Sequence, residues 1–458
     1  MRRRSLVLTA IALSAVLMAP GAANATNAVK AANPTNAMDR VPDDQPLPGY
    51  TVDNPPLAPA VVGGRPSRVV QGVHRHAAFD IEVPPRWNGH LVMWAHGYRG
   101  DSRVLTVDPP GYGLRRRLLE QGYAWAASSY YANDYDVRAG VLSTRDLIDR
   151  FRREAGEPRR LFIAGTSMGG HVTARSIEQY LGLYDAALPM CGVLGDHELF
   201  DFLLDYHLVA QDLADLPAWP IPADYATTVV PRIQERLGLT GLQPGGPDTT
   251  NDLGKQLREI FVNLSGGERP GDEVAFASWQ DFLFGLAGPP GDGTLAQEPE
   301  RVATNLFTRY EPNFPVRVNA SVQRVAPADP RARRTDRLTE VPSVSGRINV
   351  PVLSLHNLGD AFVPFSMEQY YRADVARHGR TGLLVQRAIR AAGHCEFSPA
   401  EVGTAWDDLV RWERTGVRPA GDEVSRPAVV ADPAYGCRFT DPSAQATGSR
   451  PLYEPCPS

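Results

Sequence analysis

Residues 162–171 read FIAGTSMGGH and set a serine between two glycines at the spacing Gly165-x-Ser167-x-Gly169. A serine hydroxyl is inert until a base takes its proton and a third group orients that base, so the stretch raises the question of nucleophilic acyl transfer. The spacing alone is a weak signal, and its context has to decide. An apolar run at 160–164 reads as a strand, and 168–180 reads as a helix. Gly165 and Gly169 relieve crowding where the backbone doubles back, which lifts Ser167 above the sheet edge. The amide of Met168, at the helix start, can then donate to a developing oxyanion. The competing reading is a plain strand–helix turn.

Ten histidines could supply the base. His394 follows an apolar strand and stands in the loop Ala-Ala-Gly-His-Cys ahead of the last helix. His356, at the end of a strand, is the nearest competitor. His171 is too close in sequence to swing onto Ser167, and His96 belongs to a separate Trp-Ala-His-Gly-Tyr segment. His74 and His76 are spaced to share a strand face, either as metal ligands or simply as solvated side chains. For the orienting acid, Asp360 in HNLGDAFVP follows a strand and lies between serine and histidine in the chain. A turn aspartate is the alternative reading of Asp360, and Asp196 is the runner-up acid.

The elements that must position these groups alternate. Strands are expected at 73–83, 90–95, 123–129, 160–164, 186–191, 352–356 and 383–389, with helices at 141–155, 168–180, 367–377 and 400–413. Strands alternating with helices imply βαβ crossovers and a mostly parallel sheet. Between 198 and 347 the regularity breaks into aromatic helical pieces (200–208 and 274–286) and loops. A structureless loop of that length is implausible in a compact domain, so the segment reads as an inserted cap. The expected order is a signal peptide at 1–25, an extended leader at 26–65, a core at 66–197, the cap at 198–347, the core resumed at 348–417, and a tail at 418–458.

The order Ser167…Asp360…His394 resembles the α/β-hydrolase superfamily over residues 70–195 and 345–415. That resemblance implies a mostly parallel central sheet flanked by helices, with a large, mainly helical cap inserted before the acid-bearing strand. The His96-Gly97-Tyr98 segment is similar to the family's early oxyanion loop, which makes the Tyr98 amide the second donor beside Met168. Four cysteines allow three pairings. In such a sheet the strand ending at Cys191 lies beside the nucleophile strand, and the histidine loop folds over the same edge. The resemblance therefore favours Cys191–Cys395, leaving Cys437–Cys456 in the tail, against the alternative of two buried free thiols. Secreted tannase and feruloyl-esterase-type hydrolases are similar in anchoring the residue after the histidine by a disulfide. In those enzymes the partner cysteine directly precedes the serine, whereas Thr166 stands there in this chain. The architecture and the cysteine logic carry over, and the phenolic substrates do not.

The bulk properties agree with an exported enzyme. Residues 2–4 are Arg-Arg-Arg, 6–19 are apolar, and Ala23-Asn-Ala25 fits a small-residue cleavage site, so export by a Sec-type signal is expected. No later stretch approaches the roughly 18 apolar residues of a membrane span. A net charge of −5 gives no reason to expect nucleic acid as a partner. Lys30 and Lys255 are the only lysines, a bias that reflects composition rather than a site. The function expected is a secreted serine hydrolase acting on small or polymeric carboxylic esters, with no cofactor and no metal. A serine exopeptidase and an inactive binding protein on the same fold are the alternatives. The cap aromatics Trp219, Phe276, Trp279, Phe282 and Phe284 are expected either to wall the pocket or to form the cap's own core.

Overall fold

The computed structural model of the chain describes residues 41–287, 301–333 and 337–456. The signal peptide expected at 1–25 and the first part of the expected leader lie outside those residues. Among the described residues, no helix is long and apolar enough to cross a membrane.

Eight strands form the central sheet: β1 Arg68–His74, β2 Ala77–Val83, β3 His90–Ala95, β4 Ala124–Ser128, β5 Arg160–Thr166, β6 Ala186–Met190, β7 Val352–Asn357 and β8 Leu384–Ile389. Their spatial order is β1-β2-β4-β3-β5-β6-β7-β8. β1 and β2 run antiparallel to their neighbours, and every pairing from β4 through β8 is parallel. The parallel strands are buried on both faces, which is why β3 and β5 read as mostly apolar runs, while β7 also buries Ser354, His356 and Asn357.

The expected single strand at 73–83 is a correction: it is a hairpin. Arg75 and His76 take φ values of 46° and 69°, forming a tight two-residue turn between β1 and β2. His76 therefore lies in the turn, its Nδ1 2.9 Å from the Gln45 carbonyl, and does not share a strand face with His74. The leader is draped over the surface. Thr51–Val52 pairs with Val104–Leu105, and the Ala60 amide donates to the buried Glu82 carboxylate at 2.9 Å.

Helices cover both faces. α1 (Leu114–Glu120) and α9 (Pro399–Thr415) pack with β4, β6 and β7 on one face, while α2 (Val137–Ala155) and α3 (Met168–Gln179) lie on the other. Their ends follow local chemistry. Asp136 caps α2 by accepting from the Ala139 amide, and Ser398 with Glu401 forms a reciprocal capping box at α9.

Between β6 and β7 the chain builds α4 (Glu198–Leu213), α5 (Val230–Leu237), α6 (Asp252–Ser265) and α7 (Asp272–Phe284). Their apolar faces join one cluster that also holds Ala95, Met168 and Val193 from the strand ends. The inserted helices are thus seated on the carboxyl edge of the sheet. α8 (Ser366–Arg377) follows β7. Beyond α9, the tail packs Val424, Val430, Tyr435 and Tyr453 against Leu358, Phe365, Ala388 and Ala392, next to the loops after β7 and β8.

Candidate active site

Ser167 follows β5 directly and takes φ 58° and ψ −125°, a conformation that non-glycine residues rarely adopt. Its side chain makes no capping bond to α3, so the hydroxyl is left to other partners. The neighbouring glycines have no room for a side chain. A Cβ on Gly165 would lie 2.3 Å from the Gly169 carbonyl oxygen, and one on Gly169 would lie 2.1 Å from that of Ala95. A Cβ on Gly170 would lie 2.5 Å from the Cα of Gly192. Glycine at 165, 169 and 170 is therefore what lets β3, β5, β6 and α3 converge on this elbow. Position 192 gave no signal in the sequence, because its requirement comes only from that packing.

The loop after β3 reaches the same serine. A Cβ on Gly97 would stand 3.1 Å from Ser167 Cβ and 3.6 Å from its Oγ. The backbone on either side of Gly97 thus borders the hydroxyl, which is where an oxyanion hole has to be. The Met168 and Tyr98 amides donate to no backbone acceptor among the described residues, so both remain available. His96 is buried and stacked on Tyr130, with ring centroids 3.9 Å apart, and burial lowers its pKa to about 4. It shapes the loop as a neutral ring.

Asp360 and His394 come together. The Asp360 side chain is fully buried in the loop after β7, and its Oδ2 lies 2.6 Å from His394 Nδ1. Its Oδ1 accepts from the Phe362 and Val363 amides at 3.1 and 3.0 Å, which fixes the carboxylate plane. With Nδ1–H directed at the carboxylate, Nε2 carries the lone pair a general base requires. Nε2 lies 3.4 Å from Cys395 Sγ. A disulfide sulfur has no proton to give, so that approach is a van der Waals contact.

The bridge between Cys191 and Cys395 is present, with Cα atoms 5.3 Å apart across a sequence separation of 204, and Cys437 is bridged to Cys456. No free cysteine occurs among the described residues. Cys191 follows Met190, whose carbonyl accepts the Ser167 amide at 3.0 Å, and Cys395 follows His394. The bridge therefore ties the histidine loop to the end of β6, and a hydrogen bond joins that strand end to the serine elbow. We expect the double variant Cys191→Ser/Cys395→Ser to lose roughly tenfold in kcat, since a misplaced base lowers the rate without unfolding the core. Turnover equal to wild type, measured alongside the Tm, would remove that role.

The competing candidates are occupied elsewhere. Asp196 accepts the His197 Nδ1 proton at 2.7 Å and the Val344 amide at 2.8 Å. His171 joins Tyr135 and the Pro342 carbonyl. His356 donates to the Val363 carbonyl at 2.8 Å and faces Glu368. Burial lowers its pKa, but Glu368, with Asp360 and the Val363 carbonyl, outweighs burial and raises it. None of the three makes a described bond to the Ser167 hydroxyl, and His394, whose described partners are Asp360 and Cys395, does not hydrogen-bond to it either, so it is the Asp360 pairing that sets His394 apart.

The inserted aromatics divide. Phe276 and Phe284 are 1% and 2% exposed and belong to the segment's own core. Trp279 and Phe282 instead continue a run of ring contacts through Phe362 to His394, with centroids 5.2, 5.0 and 5.2 Å apart. The Trp279 indole N–H is shared between the carbonyls of Gly359 and Ala392, at 2.9 and 2.7 Å. It bridges the acid loop to the histidine loop, a role that a composition of aromatics does not signal. Trp219 is only partly buried and packs against the same core cluster.

α4 also buries Asp205, which accepts from the Tyr310 hydroxyl and is pushed up to about 8, first by burial and further by Asp201. A folded pKa of about 8 against an unfolded value near 4 means stability that is complete below about 4, is lost progressively as pH rises toward 8, and changes no further above it. The Tm of Asp205→Asn should therefore fall less steeply than that of wild type between pH 6 and 9. Parallel curves in a pH-resolved thermal melt would contradict this.

No family model matches the chain. Among curated proteins, o-phthalyl amidase from Xanthobacter agilis is 22% identical over 447 residues, covering 80% of this chain and 95% of its own. Among solved structures, feruloyl esterase B from Aspergillus oryzae superposes with a TM-score of 0.45 at 14% identity, over 75% of this chain and 80% of that one. The rice cell wall degrading esterase LipA from Xanthomonas oryzae gives 0.38 at 16% identity, over 78% and 89%. The strand order itself is the firmer ground. A sheet running 1-2-4-3-5-6-7-8, antiparallel only at β1 and β2 and carrying a strained serine at the end of its fifth strand, is the plan of the α/β-hydrolases, and this chain has that fold.

Proposed function

We propose that the protein is a serine hydrolase that cleaves carboxylic esters through a Ser167–His394–Asp360 triad and an acyl-enzyme. The observation that carries the reading is the 2.6 Å bond from His394 Nδ1 to the wholly buried Asp360, in loops on the same carboxyl edge as the Ser167 elbow.

In this scheme His394 Nε2 takes the Ser167 proton as Oγ attacks the acyl carbonyl. Asp360 stabilises the imidazolium without itself being protonated. The amides of Met168 and Tyr98 stabilise the oxyanion, each such donor contributing about 10²- to 10³-fold in rate. The imidazolium then protonates the departing alcohol. Water, deprotonated by His394, attacks the acyl-enzyme and releases the acid with Ser167 restored. The cap helices would wall the pocket, with Phe282 and Phe362 as the aromatic side nearest the base. Two disulfides support a working place in an oxidising compartment outside the cytoplasm.

Amide cleavage is the second reading, favoured by the alignment with o-phthalyl amidase. The two are separated by comparing kcat/KM on p-nitrophenyl acyl esters with that on matched acyl and aminoacyl p-nitroanilides. The ester reading expects the esters to be favoured by well over 10²-fold. Anilide turnover equal to or above that of the esters would reverse the assignment. Inertness toward both classes would leave the binding-protein alternative.

A further inference from the structure

Residues 418–456, to which the sequence assigned no role, close on the loops that carry Asp360 and His394. We propose that this tail is a clasp that positions His394, with Ser449 as its positioning residue; the proposal rests on His394 being the general base.

The geometry is specific to the residue before the histidine. Ser449 Oγ accepts from the amides of Ala392 and Gly393, at 2.6 and 3.3 Å, and donates to Glu396 Oε2 at 2.6 Å. The same carboxylate accepts from the amides of Gly393 and Ser449, at 3.0 and 2.9 Å. The loop after β8 has no strand or helix partner to satisfy these amides, and buried backbone donors need one. The tail supplies it for Ala392, and the Gly393 amide is shared between Ser449 and Glu396 of the histidine loop itself. His394 is thereby held on one side by Ser449 through Gly393 and on the other by Cys395 through its bridge to Cys191. There is no slack: a Cβ on Gly393 would lie 2.5 Å from Glu396 Oε2, and one on Gly448 would lie 2.1 Å from Oε1.

The clasp is itself anchored by side chains and by a disulfide. Arg450, only 2% exposed, forks onto both oxygens of Glu401 in α9 at 2.8 and 2.9 Å and donates to the Glu396 carbonyl at 2.9 Å. Tyr453 fills the space beside the acid loop, where a Cβ on Gly359 would come within 2.4 Å of its hydroxyl. The bridge between Cys437 and Cys456 closes the segment holding Ser449, Arg450 and Tyr453. Arg390, at the end of β8, donates to the Glu454 carbonyl at 3.0 Å and secures the closed loop to the sheet. Closing that loop covalently removes open conformations the clasp would otherwise sample.

The test measures the second-order labelling rate with diisopropyl fluorophosphate, kcat and KM on p-nitrophenyl acetate, and Tm, for wild type, Ser449→Ala and Ser449→Thr. We expect Ser449→Ala to label and turn over roughly tenfold more slowly, with KM within about twofold and a Tm near that of wild type. Ser449→Thr, which keeps the hydroxyl, should recover most of the rate. A Ser449→Ala enzyme that labels as fast as wild type, or a loss that threonine does not recover, overturns the clasp alone. A folded wild type that does not label at all overturns the triad reading and the clasp with it. Should Ser449→Ala fail to fold, Arg450→Lys, which keeps the charge but loses the fork on Glu401, gives the same comparison: slower labelling at unchanged KM supports the clasp, and unchanged labelling refutes it.

Discussion

Asp360→Asn is expected to lower kcat by about 10³- to 10⁴-fold while KM stays within a few-fold. Asparagine fits the space, and its carbonyl can still accept from the Phe362 and Val363 amides that now hold Oδ1. Its amide nitrogen then faces His394 Nδ1 in place of Oδ2. A donor at that position forces the imidazole proton onto Nε2, the atom that has to receive the serine proton. The enzyme would fold and bind substrate yet lack its base in the required tautomer. A kcat within tenfold of wild type would show that Asp360 does not set the tautomer, and the acid would have to be sought elsewhere.

Gly169→Ala has the largest expected effect on stability. The added carbon would overlap the carbonyl oxygens of Ala95 and His96, at 2.1 and 2.6 Å. Both belong to the backbone at the end of β3, which is paired to β4 and β5 and cannot retreat as a flexible side chain would. Overpacking against fixed backbone at a strained turn puts the cost at the extreme of single substitutions, above about 4 kcal/mol. The expected result is little soluble protein, or a Tm lowered by more than about 8 °C. Gly111→Ala serves as the control, because a Cβ there meets nothing within 4 Å. A Gly169→Ala protein as stable as the control would mean that the elbow is looser than described.

The elements nearest the chemistry were the most legible in the sequence, for a physical reason. A parallel strand buried on both faces is mostly apolar, as β5 is, and the turn into α3 admits only glycine at its crowded points, so β5 and its elbow declare themselves locally. Asp360 and His394 were readable because each follows such a strand at its carboxyl end, where parallel sheets gather their loops. The hairpin at Arg75–His76 was not readable. Neither residue is a usual turn former, and both enter the left-handed region without glycine or asparagine. α6 was legible in principle, since Leu253, Leu257, Ile260, Phe261 and Leu264 line one helical face behind the Asn251 cap, whereas the eight-residue α5 is too short to declare itself without its packing on α4 and α6. The tail was opaque for a related reason. Its hold on the histidine loop uses side-chain bonds from Ser449, Glu396 and Arg450, which leave no periodicity to detect.

The central claim is that a hydroxyl at position 167 is activated by the imidazole at 394. The most direct measurement is mass-spectrometric mapping of the adduct formed with a fluorophosphonate, in wild type and in His394→Ala. The account predicts a single adduct on the peptide bearing Ser167 in wild type and a rate lower by at least about 10³-fold in the variant. An adduct on another residue, or labelling of Ser167 that survives the loss of His394 at the same rate, would contradict it.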